Sequence, residues 1–225
     1  MPFRETLLNL AITAVLVLIV VLAGILLKES RPGPVAAIPV HVPSAATEPT
    51  ARAATAQFEI FPRPVLIESR ANEADTLRVR IRDEEHVFVL YFVDALEASM
   101  NHPQVVAEQG RFFHHASDKT ITDTGAEAAA YVNDLLKTRP FHVLTRWEQV
   151  ANTGRYYAII VVETGPGKRE YLANLLMRNG YARIGAMETE LPGGTPSVPA
   201  YFEQLKQLRL EAEREKLGIW AKISR

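Results

Sequence analysis

Alternating apolar and polar residues near the middle of the chain predict a β-hairpin. From residue 77 to residue 82 apolar side chains alternate with arginines, the two-residue period of a strand with one buried and one solvent-facing side. Residues 83–85 are acidic and form the predicted turn. The following run, Val87–Val93, carries no charge, which favours a strand buried on both faces.

Three acidic residues stand at the open end of this hairpin. Asp75 comes just before the first strand, and Asp94 and Glu97 come just after the second. A hairpin brings its far end back to its starting point, so the three carboxylates can converge. Converging carboxylates need either a cation or a raised pKa on one of them. The alternative is structural, because aspartates at strand ends often cap turns.

The pattern is different at the N-terminus, where Leu7–Leu27 carries no charge. A run of this kind predicts a membrane-spanning helix, and no Ala-x-Ala spacing marks a cleavage site at its end. The numbers of positive charges before and after this run are nearly equal, so they do not decide which end of the helix faces the cytoplasm. We expect the soluble domain to be extracytoplasmic. Residues 29–57 are rich in Pro and Ala and predict an extended linker. The domain boundaries are therefore an anchor at 1–28, a linker at 29–57 and a folded domain at 58–225.

The rest of the folded domain reads as a mixture of helices and strands. Residues 98–123 are polar and predict a long irregular excursion. Thr124 and Glu127 have the spacing of a capping box, which predicts a helix from there to Pro140. Two strands, a short helix and a closing helix follow, at 141–147, 156–163, 168–179 and 199–217.

Composition limits the chemistry that the chain can carry. The formal net charge is −1 and the sequence pI is about 6.6, so the basic excess typical of nucleic-acid-binding proteins is missing. The chain has no cysteine, which excludes disulfides, thiolate metal sites and cysteine nucleophiles. A tight, non-specific nucleic-acid affinity is therefore not expected.

Several motifs in a fixed order resemble the thermonuclease (staphylococcal-nuclease-like) family. The first two are Asp75-Thr76, which opens a strand, and Val93-Asp94-x-x-Glu97, which closes the next one. The others follow in the family's order: Gly125–Ala128, Gly154-Arg155, Leu175–Ala182 and Glu215–Trp220. The resemblance covers roughly residues 65–220.

The resemblance implies both a fold and an activity. The fold would be α+β, a five-stranded OB-like β-barrel with about three helices. The activity would be calcium-dependent cleavage of phosphodiesters, with Asp75, Asp94 and the backbone carbonyl of Ala95 as calcium ligands. In that site Glu97 would orient or deprotonate the attacking water, and Arg155 would neutralise the charge that develops on the phosphate.

The chain departs from the family on the side that would hold the substrate. The family has a phosphate-binding arginine at the position of Val89, and such an arginine contributes about 10³–10⁵ in rate. The family has tyrosines where this chain has Thr153, Ala186 and Glu188. Each lost stacking contact with a base costs roughly 1–3 kcal/mol.

Two functions follow from these observations. The first is a membrane-anchored, thermonuclease-like domain with lost or strongly impaired hydrolysis, which acts as a binding module for a protein or other ligand. The second is a weakly active calcium-dependent nuclease that cleaves single-stranded DNA or RNA. The Val89 position favours the first, and the retained Asp75, Asp94, Glu97 and Arg155 favour the second.

Overall fold

The structure, a computed structural model, describes residues 57–223. The predicted anchor at 1–28 and nearly all of the predicted linker at 29–57 lie outside the described residues. Within residues 57–223, no helix is both long enough and apolar enough to cross a membrane.

The described residues form an α+β fold with nine strands and four α-helices. The strands are β1 (Glu59–Pro62), β2 (Val65–Leu66), β3 (Thr76–Ile81), β4 (Glu84–Leu90), β5 (Val93–Ala95), β6 (Phe141–Gln149), β7 (Tyr156–Gly165), β8 (Lys168–Tyr171) and β9 (Ala182–Ile184). The helices are α1 (Pro103–Phe112), α2 (Asp118–Thr138), α3 (Leu172–Arg178) and α4 (Val198–Glu215).

Seven strands make one mixed sheet in the order β1-β6-β7-β4-β3-β2, with β8 paired to β7. All neighbours are antiparallel except β4 and β7, which are parallel. β5 and β9 form a separate two-stranded antiparallel sheet. Buried residues of the large sheet pack against one face of α2, which presents Ala128, Val132 and Leu136.

The predicted five-stranded OB-like β-barrel is wrong. The large sheet is open, because its edge strands β1 and β2 do not pair with each other. Only Arg63 and Pro64 separate these two strands in the chain. Pro62 and Pro64 have no backbone N–H to donate, and β2 is only two residues long, so a ladder across this gap has few groups to build it. The helices are also more numerous than the expected three.

The predicted hairpin is confirmed, but its second strand ends early. β3 and β4 pair from Thr76–Val89 to Ile81–Glu84. The turn consists of Arg82 and Asp83, so the predicted turn at 83–85 is wrong for Glu84 and Glu85, which belong to β4. β4 stops at Leu90, and Phe92 adopts a left-handed conformation with φ of 73°. The chain bends there, and the residues after it enter β5 of the small sheet. The apolar run 87–93 is therefore two strands on two sheets.

The predicted irregular excursion and the predicted capping box are both wrong. α1 lies inside the excursion, and α2 begins at Asp118, with the Ser117 hydroxyl accepting a hydrogen bond from the Thr120 N–H at 3.1 Å. Thr124 is buried in the middle of α2. Gly125 follows it at a close approach, because a Cβ there would collide with the backbone carbonyl of Glu97. This contact brings α2 against the loop that carries Glu97.

Candidate functional site

Asp75 connects the start of β3 to β5. Its Oδ2 accepts a hydrogen bond from the backbone N–H of Ala95 at 2.7 Å, and its Oδ1 accepts one from the Thr76 hydroxyl at 3.1 Å. The backbone carbonyl of Asp75 also accepts from the Leu90 N–H at 2.9 Å. Asp75 therefore adds hydrogen bonds that hold the start of the hairpin against β5 of the small sheet.

Asp94 is held by an arginine from the neighbouring strand. β5 pairs with β9 so that Asp94 lies opposite Arg183, and the Arg183 Nε donates to Asp94 Oδ2 at 2.6 Å. The same guanidinium donates from its Nη2 to Glu108 of α1 at 2.8 Å. Gly185 permits this packing, since a Cβ there would lie 2.9 Å from the Asp94 Cβ. Arg183 therefore supplies a positive charge to two carboxylates, Asp94 of the acidic group and Glu108 of α1.

Gln109 of α1 joins the backbone around the site. Its side chain is fully buried. The Nε2 donates to the Ala95 carbonyl at 2.8 Å, and the Oε1 accepts from the Glu97 N–H at 3.0 Å. A longer contact of 3.5 Å joins the Nε2 to Asp94 Oδ2. One amide therefore fixes the positions of β5 and of the loop that follows it.

Glu97 faces the site with an unsatisfied oxygen. Its Oε2 is buried and has no hydrogen-bond partner. Burial, together with the neighbouring charges of Glu73, Asp75 and Asp94, raises the pKa of Glu97 to about 7. At neutral pH a substantial fraction of the molecules therefore carries a proton on this carboxyl group.

The other carboxyl groups of the site are perturbed in the same sense. Burial raises the pKa of Asp75 to about 7, against the lowering effect of the Ala95 hydrogen bond. Burial also raises the pKa of Glu73, and the positive charges of His102 and Arg155 oppose that rise. Glu73 is thus a fourth carboxyl group in the cluster that also contains Asp75, Asp94 and Glu97.

Arg155 lies near the acidic group but forms no ion pair with it among residues 57–223. It stands at the start of β7, and its Nε donates to the Thr153 hydroxyl at 3.2 Å. Its positive charge nevertheless lowers the pKa of Glu73, against the larger rise that burial causes. Val89 is half-buried in the middle of the sheet, between Thr76 on β3 and Tyr157 on β7.

The other two positions where the chain departs from the family lie after β9. Ala186 and Glu188 are both exposed on the loop that leads to α4. Neither side chain can stack on a base. The part of the chain that would hold a nucleotide in the family therefore offers a methyl group and a negative charge.

The arrangement does not fit a calcium ion as it stands. The Asp94 carboxylate is paired with Arg183, the Ala95 carbonyl accepts from Gln109, and Asp75 Oδ2 accepts from the Ala95 N–H. Across residues 57–223 no group of three or more His, Cys, Asp or Glu side chains is placed to hold a metal ion. Calcium binding stays a prediction, and it would require these internal donors to move away.

Three residues of the site were missed by sequence reasoning. Glu73 lies two residues before Asp75 in the segment that precedes β3, where no strand period indicates which way a side chain faces. Gln109 belongs to a segment that was predicted to be irregular, so it had no predicted position. Arg183 lies inside one of the motifs that resemble the family, but only the register of β5 against β9 brings it to Asp94.

Comparison of the chain with known protein families and with functionally characterised proteins gave no match to any family model and none to any such protein. The thermonuclease resemblance therefore stays a prediction that rests on the motifs themselves.

Proposed function

We propose that this chain is a membrane-anchored, thermonuclease-like binding module whose phosphodiester hydrolysis is lost or strongly impaired. The observation that carries the proposal is the ion pair between Arg183 and Asp94 at 2.6 Å. A guanidinium of the protein itself neutralises the carboxylate that would hold the catalytic cation. Both side chains are largely buried, with exposed fractions of 14% and 26%. An internal cation in this position competes with any metal ion.

The surroundings of the site support the same function. An arginine on a transferring phosphoryl group is worth about 10³–10⁵ in rate, and Val89 offers neither charge nor hydrogen bond. Arg155 is directed to Thr153 rather than to a carboxylate. Exposed Ala186 and Glu188 provide no aromatic surface for a base. A partner protein or small ligand is a better occupant of such a domain than a nucleic acid.

Cleavage of single-stranded DNA and RNA by the full chain, purified in a maltoside detergent, tests the proposal. The wild type and the Glu97→Gln variant are incubated with and without calcium at high protein concentration. We expect the same low background from both proteins under all conditions. Product that depends on calcium and is lost in Glu97→Gln would overturn the proposal. An active thermonuclease under the same conditions serves as the positive control.

A binding measurement tests the nucleic-acid side separately. Affinity for a labelled oligonucleotide is compared at 50 and 200 mM salt by fluorescence anisotropy. A protein that contacts 6–10 phosphates loses roughly 10³–10⁵ in affinity over this range. We expect weak binding that changes little with salt, because few phosphates would be neutralised. A steep salt dependence would contradict the binding-module function.

One observation favours the weakly active nuclease as a second candidate. Glu97 keeps a buried oxygen without a hydrogen-bond partner, next to the carboxyl groups of Asp75 and Glu73. An unsatisfied buried oxygen is costly in a structure that does not use it. If this candidate is right, Val89→Arg should raise the calcium-dependent cleavage rate by at least tenfold. No rate change in a folded Val89→Arg protein would count against it.

The predicted anchor gives the module its location. Leu7–Leu27 is long and apolar enough to span a bilayer, and the Pro-rich residues 29–57 would separate it from the folded domain. We expect the full chain to stay with the membrane fraction after extraction at alkaline pH. Release into the supernatant would contradict membrane anchoring. Protease access to residues 58–225 from outside intact cells would establish the extracytoplasmic orientation.

A further inference from the structure

A cavity lies at the opposite end of the β3–β4 hairpin from Asp75. It has a volume of about 280 Å³, and its lining includes the four consecutive residues Ile81, Arg82, Asp83 and Glu84 at the hairpin turn. The six residues of β3 separate it from the carboxylate site, a distance of about 20 Å at roughly 3.3 Å per residue. The cavity is therefore independent of the proposed function at the other end.

Aromatic rings from three strands form one wall of this cavity. Phe61 comes from β1, His86 from β4 and Trp147 from β6. The His86 and Trp147 rings meet edge to face with centroids 4.9 Å apart, and the Phe61 and Trp147 rings do so at 5.8 Å. The three side chains are partly exposed. Ring faces concentrate negative electrostatic potential, which attracts a cation.

The backbone at Trp147 is held in an uncommon conformation that keeps this ring in place. Its φ is 57°, in the left-handed region that non-glycine residues rarely adopt. The register of β6 against β7 shifts between Thr145 and Gln149, so Trp147 lies in a bulge. The Thr145 hydroxyl accepts from the Trp147 N–H at 2.9 Å and holds the bulge. Bulges of this kind redirect a side chain next to a site.

The same cavity is lined by three carboxylates that pair with no lysine or arginine in the described part of the chain. They are Glu59, Asp83 and Glu84. None of them forms an ion pair with a lysine or arginine among residues 57–223. Glu59 accepts from the Trp147 indole N–H at 2.7 Å, and Glu84 lies 3.6 Å from His86. By contrast, the adjacent Glu85 pairs with Arg80 at 3.1 Å and does not line the cavity.

We propose that this cavity binds a small quaternary ammonium ion. Such a cation has no hydrogen-bond donor, so it gains from aromatic faces and nearby negative charge rather than from directed acceptors. The three carboxylates outnumber Arg82, the one basic residue in the wall apart from His86. The aromatic wall also disfavours a bare metal ion, which needs several oxygen ligands at short distance. The cavity volume accommodates a single trimethylammonium group with its short substituent.

The two indole N–H signals of the chain report binding directly. The chain has only two tryptophans, and Trp220 is buried in a different cluster with Phe113 and Ile121. The full chain, labelled with ¹⁵N on tryptophan in a maltoside detergent, is titrated with choline chloride against a sodium chloride reference. We expect the Trp147 signal to shift saturably while the Trp220 signal stays in place. Trp147→Phe assigns the two signals.

Matched ligands distinguish the contribution of the ligand's charge to its affinity from the contribution of its shape. The neutral isostere of choline, 3,3-dimethylbutan-1-ol, should bind about 2–30-fold more weakly than choline, because cation–π attraction is worth a factor of that size. Phosphocholine represents the same cation on a lipid headgroup. We expect it to bind more weakly than choline, because the three carboxylates of the cavity repel its negatively charged phosphate. Tighter binding of phosphocholine would overturn the assignment to a free cation.

Matched variants separate the cavity from the general charge of the turn. Glu84→Gln removes a negative charge from the cavity wall, and Glu85→Gln removes one beside it. We expect choline affinity to fall about 2–5-fold in Glu84→Gln, as for an exposed charge pair, and to change less in Glu85→Gln. Equal effects of the two variants would overturn the proposal. So would a linear, unsaturated shift of the Trp147 signal, or equal binding of the neutral isostere.

Discussion

The two ends of the β3–β4 hairpin both collect acidic residues, but their surroundings differ. At the open end, Asp75 and Asp94 are at least partly buried and are bonded to donors from the protein, the Ala95 N–H and Arg183. At the turn, Asp83 and Glu84 are exposed and have no lysine or arginine partner within residues 57–223. Asp75 and Asp94 are therefore bonded to donors of the protein at one end, and Asp83 and Glu84 are left open to a ligand at the other.

This difference shows why acidic clusters cannot be interpreted from their sequence alone. Burial raises the pKa of a carboxyl group, and a buried charge needs a partner. An exposed carboxylate keeps water as its partner and costs little. The open end should therefore respond strongly to mutation and pH, and the turn should respond weakly. The following predictions compare the two ends.

The largest effect is expected when Arg183 is removed. In Arg183→Ala, Asp94 loses its partner beside three other carboxyl groups, and breaking a buried pair costs about 3–5 kcal/mol in the free energy of unfolding. Arg82→Ala at the turn should cost less than about 0.5 kcal/mol, because Arg82 is exposed. Chemical denaturation of both variants at pH 7 measures the difference. Adding Asp94→Asn to Arg183→Ala should recover part of the loss, and a loss below about 1 kcal/mol would show that Asp94 does not need its partner.

The next effect is a dependence of stability on pH at the open end. Because the pKa of Asp75 is raised from 3.8 to about 7, the folded state binds a proton in this interval that the unfolded state has released. The free energy of unfolding should therefore fall as the pH rises from about 4 to 7, by up to about 1.4 kcal/mol per pH unit, and then level off. Glu97 adds to the same trend, because its pKa is also raised.

Asparagine variants at the two ends check this assignment. Asp75→Asn should flatten the fall in stability between pH 4 and 7, because the titrating group is gone. Asp83→Asn, at the exposed turn, should leave the slope unchanged. Denaturation curves at half-unit steps of pH measure both. A slope that persists in Asp75→Asn would assign the effect to Glu97 or Glu73 instead.

A smaller loss of stability is expected when the Gln109 side chain is removed. Gln109→Ala leaves the Ala95 carbonyl and the Glu97 N–H without their buried partner, which costs about 1–3 kcal/mol. Gln104 lies on the same helix but is exposed, so Gln104→Ala is the matched control and should change little. Thermal unfolding of the two variants under identical conditions compares them. Equal losses would indicate a general effect on α1 rather than the loss of these two hydrogen bonds.

Sequence patterns predicted the hairpin well because its period and its turn are local properties. Alternation at 77–82 specifies β3, and the polar residues that follow it indicate a turn close to the observed one, without knowledge of the rest of the chain. The bend at Phe92 leaves no such sign, since Tyr91 and Phe92 are as apolar as the strand before them and are equally buried. The open edge of the sheet also cannot be predicted from the local sequence, because it depends on which strands pair with partners far away in the chain.

The candidate site was predictable only in part, for a related reason. Asp75, Asp94 and Glu97 stand at the ends of predicted strands, and the structure does bring them together. Their partners come from elements whose position depends on tertiary packing. Gln109 arrives on a helix that the polar composition of residues 98–123 concealed, and Arg183 arrives through the register of β9. The acidic residues of the site could thus be predicted from the sequence, and the groups that contact them could not.

The smallest effect, and the most informative about ancestry, is expected from calcium. In the wild type Arg183 already neutralises Asp94, so millimolar calcium should move the melting temperature little. In Arg183→Gln the guanidinium is gone, and the carboxyl groups of Asp75, Asp94 and Glu97 repel each other until a cation or a proton arrives. A ligand present at ten times its dissociation constant adds about 1.4 kcal/mol of stability. We therefore expect calcium to raise the melting temperature of Arg183→Gln measurably more than that of the wild type, and magnesium to do so less, because it demands a stricter geometry.

Asp94→Asn in the same background should abolish the difference. If calcium stabilises the wild type as much as Arg183→Gln, then Arg183 does not occupy the place of the cation, and the calcium site implied by the thermonuclease resemblance would be intact.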